Sequence, residues 1–332
     1  MNENPRATAA LAGLGRPALV VNAMKGDADE LRAGTWLEWN GELEGLRAAL
    51  LGVPFDGASV VRSGSRGGPD AVRLGLVNYT TFSSAEARGM EALRAADIGD
   101  VVVTLTDMAG TFARTSAVIA ELVRRGIVPV SIGGDHSIAY PLIRGVTEAL
   151  GAGRRLGIVH FDAHHDLRSA HLGAESSGVP FCKALESLPE AVRGENLVQI
   201  GMAEFTNSPQ FADYARRCGI TVIPGRGLRG GALAEVVGRA LEIAGQGTDG
   251  IYLSVDIDCI DQAQAPGTAA PNPFGLDLRD VQEALRVIGA HPRILGMDLV
   301  EISPPFDLDN MTGRAGASLV LSFLYGLASR TV

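Results

Sequence analysis

From about Leu46 onward the chain alternates between two hydrophobic patterns. Short, nearly unbroken apolar runs recur at Ala49–Phe55, Ile127–Ile132, Leu156–Phe161, Leu197–Gly201, Thr221–Pro224, Gly250–Val255 and Arg293–Val300. Ala95–Leu105 carries a further run that reads as an edge strand. Unbroken apolar character is expected of strands covered on both faces, as in a parallel sheet. Between the runs, apolar positions fall at helical spacing over Thr111–Arg125, Ser137–Leu150, Ser208–Cys218, Ala232–Ala244, Leu278–Ile288 and Arg314–Ser329. A shorter helix starts near Asp70, and Gly126 supplies a C-cap for the helix before it.

Repeated strand–helix units predict an α/β fold: a three-layer α/β/α sandwich with a mostly parallel central sheet. An eight-fold barrel also alternates strands and helices. The uneven spacing, and polar clusters after only some strands, favour an open sheet with its site beyond the carboxyl ends of the strands. No composition break marks a linker, so residues 41–332 read as one domain. Residues 1–40 read as an N-terminal arm. Its Trp36, Trp39 and Ala18–Val21 are candidates to pack on the domain or on a neighbouring subunit.

Composition narrows the function. The 332 residues are 46% hydrophobic, enough for a large core, and the net charge of −9 argues against a nucleic-acid binder. Cys182, Cys218 and Cys259 show no metal-knuckle or C-x-x-C spacing, which fits a reducing cytoplasm. Gly13, Gly15, Arg16 and Pro17 interrupt the early apolar residues, so no signal peptide is expected. The apolar run Ala317–Ala328 is far short of the roughly 20 residues that span a bilayer, so no membrane association is expected.

The chemistry sits at four predicted strand ends. Gly133-Gly134-Asp135-His136-Ser137 follows the first, and His160-Phe161-Asp162-Ala163-His164-His165-Asp166 closes the second. Asp256-Ile257-Asp258-Cys259-Ile260-Asp261 follows the third, and Glu301-Ile302-Ser303-Pro304 the fourth. In a parallel sheet all four fall at one edge. Alternation puts Asp162, His164 and Asp166 on one side of an extended backbone, and Asp256 with Asp258 likewise. Together with His136 they make four carboxylates and two imidazoles. Such a set repels itself unless a cation is present. Six ligands are too many for one small ion but suit two divalent ions with shared carboxylates. Oxygen-rich donors without thiolate favour Mn²⁺; Ni²⁺ and Co²⁺ fit the same atoms. Asp135 and Asp261 are expected to orient ligands, His160 to be a buried partner of the site, and Cys259 a buried structural thiol.

These motifs resemble the ureohydrolase superfamily of arginase, agmatinase, guanidino-acid hydrolases and formimidoylglutamase. The matching residues are Gly133–Ser137, Asp162–Asp166, Ser254–Asp258 with Pro266-Gly267-Thr268, and Glu301–Pro304. The resemblance covers about residues 47–328 and implies the arginase-like fold, two Mn²⁺ per chain and homo-oligomers, trimers or hexamers. It implies Asp162 and Asp256 bridging the ions, His136 and Asp166 completing one shell, and His164 and Asp258 the other. It implies attack by a metal-bridging hydroxide on the carbon of a small cationic amidine or guanidine. Asp166 would then carry a proton to the leaving nitrogen, and Glu301 would hold the amidinium.

Within the superfamily, Asp166-Leu167-Arg168 and Ser176-Ser177-Gly178-Val179-Pro180-Phe181 resemble formimidoylglutamase, which hydrolyses N-formimidoyl-L-glutamate to L-glutamate and formamide. Ser177 stands where arginases and agmatinases carry a histidine; His171 is a nearby stand-in or a solvated loop residue. Arg168 is the expected carboxylate anchor, with Arg62 and Arg66 as weaker candidates, and Ser177 and His165 are candidates for the substrate wall. Cys182-Lys183 and Pro271–Gly275 depart from the formimidoylglutamase pattern. The alternatives are a guanidino-compound hydrolase releasing urea, and an inactive metal-bound subunit of a hetero-oligomer.

Overall fold

The computed structural model describes residues 14–15, 31–169, 175–228 and 231–330. Its strands are β1 (Leu14–Gly15), β2 (Ala48–Val53), β3 (Phe82–Ser83), β4 (Arg88–Gly89), β5 (Ala95–Val101), β6 (Val128–Gly133), β7 (Leu156–Phe161), β8 (Val192–Met202), β9 (Thr221–Pro224), β10 (Gly250–Asp256) and β11 (Ile294–Val300). Its helices are α1 (Ala33–Trp36), α2 (Gly68–Leu76), α3 (Met108–Arg124), α4 (Ala139–Leu150), α5 (Pro180–Ser187), α6 (Pro209–Cys218), α7 (Ala232–Gly245), α8 (Leu278–Ala290) and α9 (Met311–Ala328).

One sheet runs β1-β5-β2-β6-β11-β10-β7-β8-β9. All its pairings are parallel except that of β1 with β5. β5 is therefore not the outermost strand, because Leu14 and Gly15 add along its open edge. Side chains alternate between two cores. In β2, Ala48 and Leu50 face the layer of α2, α7, α8 and α9; Ala49 and Leu51 face that of α3 to α6. In β7, Val159 and Phe161 face the first layer and Leu156 and Ile158 the second. This is the three-layer α/β/α architecture. Trp36 packs on the first core and Trp39 on the second. The predicted Ala18–Val21 contact lies outside the described residues, as does His171.

Helix α5 and the start of strand β8 escape the hydrophobic pattern, as do the short β1, α1, β3 and β4. Helix α5 is only eight residues long and sits within a motif that reads as loop, although Pro180 at its first turn is a helix-start signal. Strand β8 begins at Val192, ahead of the apolar run, and its register against β7 shifts between Leu156 and Ile158. Among the described residues no helix is long and apolar enough to cross a membrane.

Candidate metal centre

The four strands that end in polar clusters, β6, β11, β10 and β7, are consecutive in the sheet. The chain leaves β6 and resumes at β7 three positions away; β10 and β11 fill the gap later. This is a switch in strand order, where open α/β sheets form a crevice.

At the end of β6, a Cβ on Gly134 would sit 1.9 Å from the carbonyl oxygen of Phe55, so only glycine allows the close approach. Asp135 N donates to that oxygen. The Asp135 carboxylate accepts from Ala58 N (2.8 Å) and from Ser137 N (3.0 Å), capping the turn His136–Ile138. Burial pushes its pKa up to about 6. Asp135 thus positions His136 through the backbone. Asp261 does not act on the cluster: it accepts from Ala263 N and stabilises its own turn.

Asp162, His164 and Asp166 do not alternate along an extended strand, contrary to what their spacing predicts. β7 ends at Phe161, and residues 162–166 are a turn in which Asp166 takes φ 51, in the left-handed region. Asp258 likewise lies on a 3₁₀ turn, and its N–H donates to Asp256 Oδ1 (2.8 Å). The side chains converge through these turns instead of through a pleat.

Asp162 is the hinge of the convergence. Its Oδ2 lies 3.2 Å from His136 Nδ1, and its Oδ1 lies 3.3 Å from His164 Nδ1. His136 Nδ1 also faces Asp166 Oδ2 (2.9 Å) and Asp256 Oδ2 (3.3 Å), and His164 Nδ1 faces Asp258 Oδ2 (3.0 Å). His136 Nδ1 is buried among these oxygens yet makes no hydrogen bond. The other ring nitrogen, Nε2, contacts Ser254 Oγ (2.9 Å), which donates to Asp298 Oδ1 (2.8 Å). When the ring is neutral, that chain leaves the lone pair on Nδ1, as a metal ligand requires.

Electrostatics point the same way. Burial raises the pKa of Asp256 and Asp258, and neighbouring carboxylates add to it. Burial and Asp162 push Asp166 up to about 6. Burial opposes charge on Asp162 too, but three histidines pull it well below the usual range. Asp258, ahead of other causes, pushes His164 up to about 12. Burial opposes charge on His136, yet Asp162, Asp166 and Asp256 raise it well above the imidazole norm. The carboxylates are thus using imidazoles as substitute cations. Carboxylate oxygen and imidazole nitrogen without thiolate suit Mn²⁺-like divalent ions.

Above the cluster opens a narrow cleft of about 90 Å³. Asp166, Asp256, Asp258 and His164 reach its floor, and Arg168, Ser177 and Glu301 line it. Glu301 takes φ 64, a second left-handed non-glycine residue at the site. Its Oε1 accepts from His136 N (2.9 Å), while the buried Oε2 has no partner. Burial, reinforced by Asp135, pushes Glu301 well above the carboxylate norm. The guanidinium of Arg168 lies 5.5 Å from the Phe211 ring centre. Ser177 Oγ accepts from Val60 N (3.2 Å), tying down the loop at the cleft mouth.

Three candidates stand elsewhere. His165 is buried and off the cleft wall: its Nδ1 bonds Gln199 Oε1 (2.7 Å) because the turn points its ring back into the sheet. Arg62 is committed to the carbonyls of Thr268 (2.7 Å) and Ala269 (3.0 Å) and stacks on Phe306. Arg66 is exposed and reaches toward Asp56 (3.7 Å). Sequence reasoning missed Gln199 and Asp298, both buried polar residues inside apolar strands, which is itself the signal that exposes them. It also missed Asn207, which accepts from His165 N and donates to Ala163 O, holding the turn.

The model of the arginase family matches residues 46–326. The chain belongs to the arginase family. Formimidoylglutamase of Halalkalibacterium halodurans is 34% identical over 297 residues, covering 89% of this chain and 91% of that protein. The crystal structure of formimidoylglutamase from Bacillus subtilis superposes with a TM-score of 0.86 at 28% identity, covering 95% and 97% of the two chains. Trypanosoma cruzi formiminoglutamase with Mn²⁺ shares the fold, with a TM-score of 0.83 at 22% identity over 91% of this chain and 100% of that one. As an arginase-family ureohydrolase, the protein is a hydrolase of amidine C–N bonds.

Proposed function

We propose that the protein hydrolyses N-formimidoyl-L-glutamate to L-glutamate and formamide. The observation that carries this is a six-residue donor set, buried but for His164 and Asp166 that reach the cleft, beneath a wall formed by both Glu301, with its unpartnered Oε2, and Arg168. Two divalent cations, Mn²⁺ first, would be held by His136, Asp162, His164, Asp166, Asp256 and Asp258. They would cancel the charge of the four carboxylates. When bound, they supply a water acidic enough to attack at neutral pH. The Mn²⁺ of the Trypanosoma relative supports the choice of metal.

The protein's own groups do the rest. Glu301 Oε2 accepts an N–H of the amidinium. Arg168 grips a tail carboxylate as a planar, two-pronged donor. Among the described residues it makes no ion pair, so it is available. Asp166 passes a proton to the leaving nitrogen. Water oxygen becomes the carbonyl of formamide, the C–N bond to glutamate breaks, and the proton completes the amine. Ser177 shapes the wall by fixing the Val60 loop. Residues 41–332 act as one domain in a cytoplasmic homo-oligomer, a trimer or hexamer. The free cysteines and the bare Phe205 and Phe274 side chains support that reading.

One observation favours a second reading. Arg168 is the only Lys or Arg among the described residues lining the cleft. Formimidoylglutamate has two carboxylates, whereas a guanidino acid has one. A panel of formimidoylglutamate, guanidinobutyrate, agmatine, arginine and methylguanidines decides. Formamide release supports the first reading, and urea release moves the assignment to the guanidino class. Metal-loaded protein that turns over none of them would be the inactive subunit.

A further inference from the structure

We infer that Gln199 is a positioning residue for the metal cluster, locking the tautomers of His160 and His165 so that a ring N–H of His160 stays on Asp162. The inference rests on the reading of Asp162 as a metal ligand and deepens it. Gln199 lies in β8 between the core residues Val198 and Ile200, is fully buried, and stands opposite His160 in the strand pairing. A buried amide needs partners for both ends. Here all are met by His160 and His165.

The hydrogen positions follow by elimination. Gln199 Nε2 lies 2.7 Å from the carbonyl oxygen of His165, which can only accept. The amide orientation is therefore fixed by the backbone. The second hydrogen of Nε2 faces His160 Nδ1 at 3.1 Å, so that nitrogen must accept. The ring proton of neutral His160 is then on Nε2, which donates to Asp162 Oδ2 at 2.8 Å. The remaining atom, Oε1, accepts from His165 Nδ1. Phe181 packs 4.0 Å from the His160 ring centre and hinders its rotation. His165 is thus no substrate contact; it anchors Gln199.

The consequence lies on Asp162. Its Oδ1 accepts from His164 N (2.6 Å), and its Oδ2 receives the His160 N–H. Each oxygen is pinned by one donor, which sets the plane of the carboxylate between the His136 and His164 groups. Outer partners of this kind are worth roughly 10- to 100-fold in metal affinity.

The test uses the full chain. Nitrogen-15 NMR of histidine-labelled protein should show His160 protonated at Nε2. Mn²⁺ affinity, read by chelator competition, should fall roughly 10- to 100-fold in Gln199→Leu and Gln199→Glu. Leucine offers no donor to His160, and an ionised glutamate can only accept. His160→Gln, whose own amide can donate to Asp162, should keep affinity within a few-fold, while His160→Phe should lose it. A proton on Nδ1 of wild-type His160 overturns the inference without any variant. So does unchanged Mn²⁺ affinity in folded Gln199→Leu or Gln199→Glu. If the wild type binds no Mn²⁺, the metal reading itself falls, and this inference with it.

Discussion

His136 Nε2 stands 2.9 Å from Ser254 Oγ, and the hydroxyl's own proton goes to Asp298. One buried acid two steps away therefore decides which nitrogen of His136 faces the cluster. Tyr252 OH donates to the other Asp298 oxygen (2.8 Å), fixing that acid in turn. Ser254→Ala should leave the fold intact, since the His136 ring also packs on Phe181. Mn²⁺ affinity should drop roughly 10- to 100-fold by isothermal titration. Unchanged affinity would sink the role of the relay.

Glu301→Gln keeps the shape but removes the charge that faces an amidinium. A charge-assisted hydrogen bond is worth about 1.5–3 kcal/mol, so kcat/KM should fall roughly 10- to 100-fold. Metal content, measured by elemental analysis, should not change. Loss of metal instead would make Glu301 part of the cluster's support.

Asp256→Asn removes one of the charges that the cations balance. It should abolish both activity and tight Mn²⁺ binding. Retained turnover at wild-type rate would remove the two-ion model.

Metal uptake should release protons. In the ion-free chain Asp258 pushes His164 up to about 12, so His164 is protonated at neutral pH and must lose that proton to ligate. Asp166, raised to about 6 by burial and Asp162, takes up another as the pH falls through that value. The metal-free form holds more protons, so acidification favours it. Apparent Mn²⁺ affinity should fall by about tenfold per pH unit for each proton displaced. A pH-independent affinity, or no proton release to an indicator dye, would contradict this.

Arg168→Ala should raise KM for substrates with a carboxylate tail and leave kcat and methylguanidine turnover nearly unchanged. Equal losses across the panel would show that Arg168 shapes the cleft instead of reading the tail.

Much of this molecule was legible along the chain. Unbroken apolar runs such as Leu156–Phe161 mark parallel strands because both faces are covered, a local consequence of burial. The four polar clusters were visible because carboxylates such as Asp162 and Asp256 do not belong at the end of an apolar run without a task. What the chain could not show is the order β6-β11-β10-β7. That order is a long-range choice, and it alone makes the clusters neighbours. Nor does periodicity reach past a strand end. His165 looked like wall because its motif borders the site, but the turn after Phe161 and the amide of Gln199, 34 residues on, direct its ring inward. Arg62 looked like an anchor until the carbonyls of Thr268 and Ala269 claimed it. Residue type and spacing determined which chemistry the protein carries. Tertiary packing decided which atoms face the cleft, because hydrogen-bond partners distant in sequence fix each rotamer and tautomer.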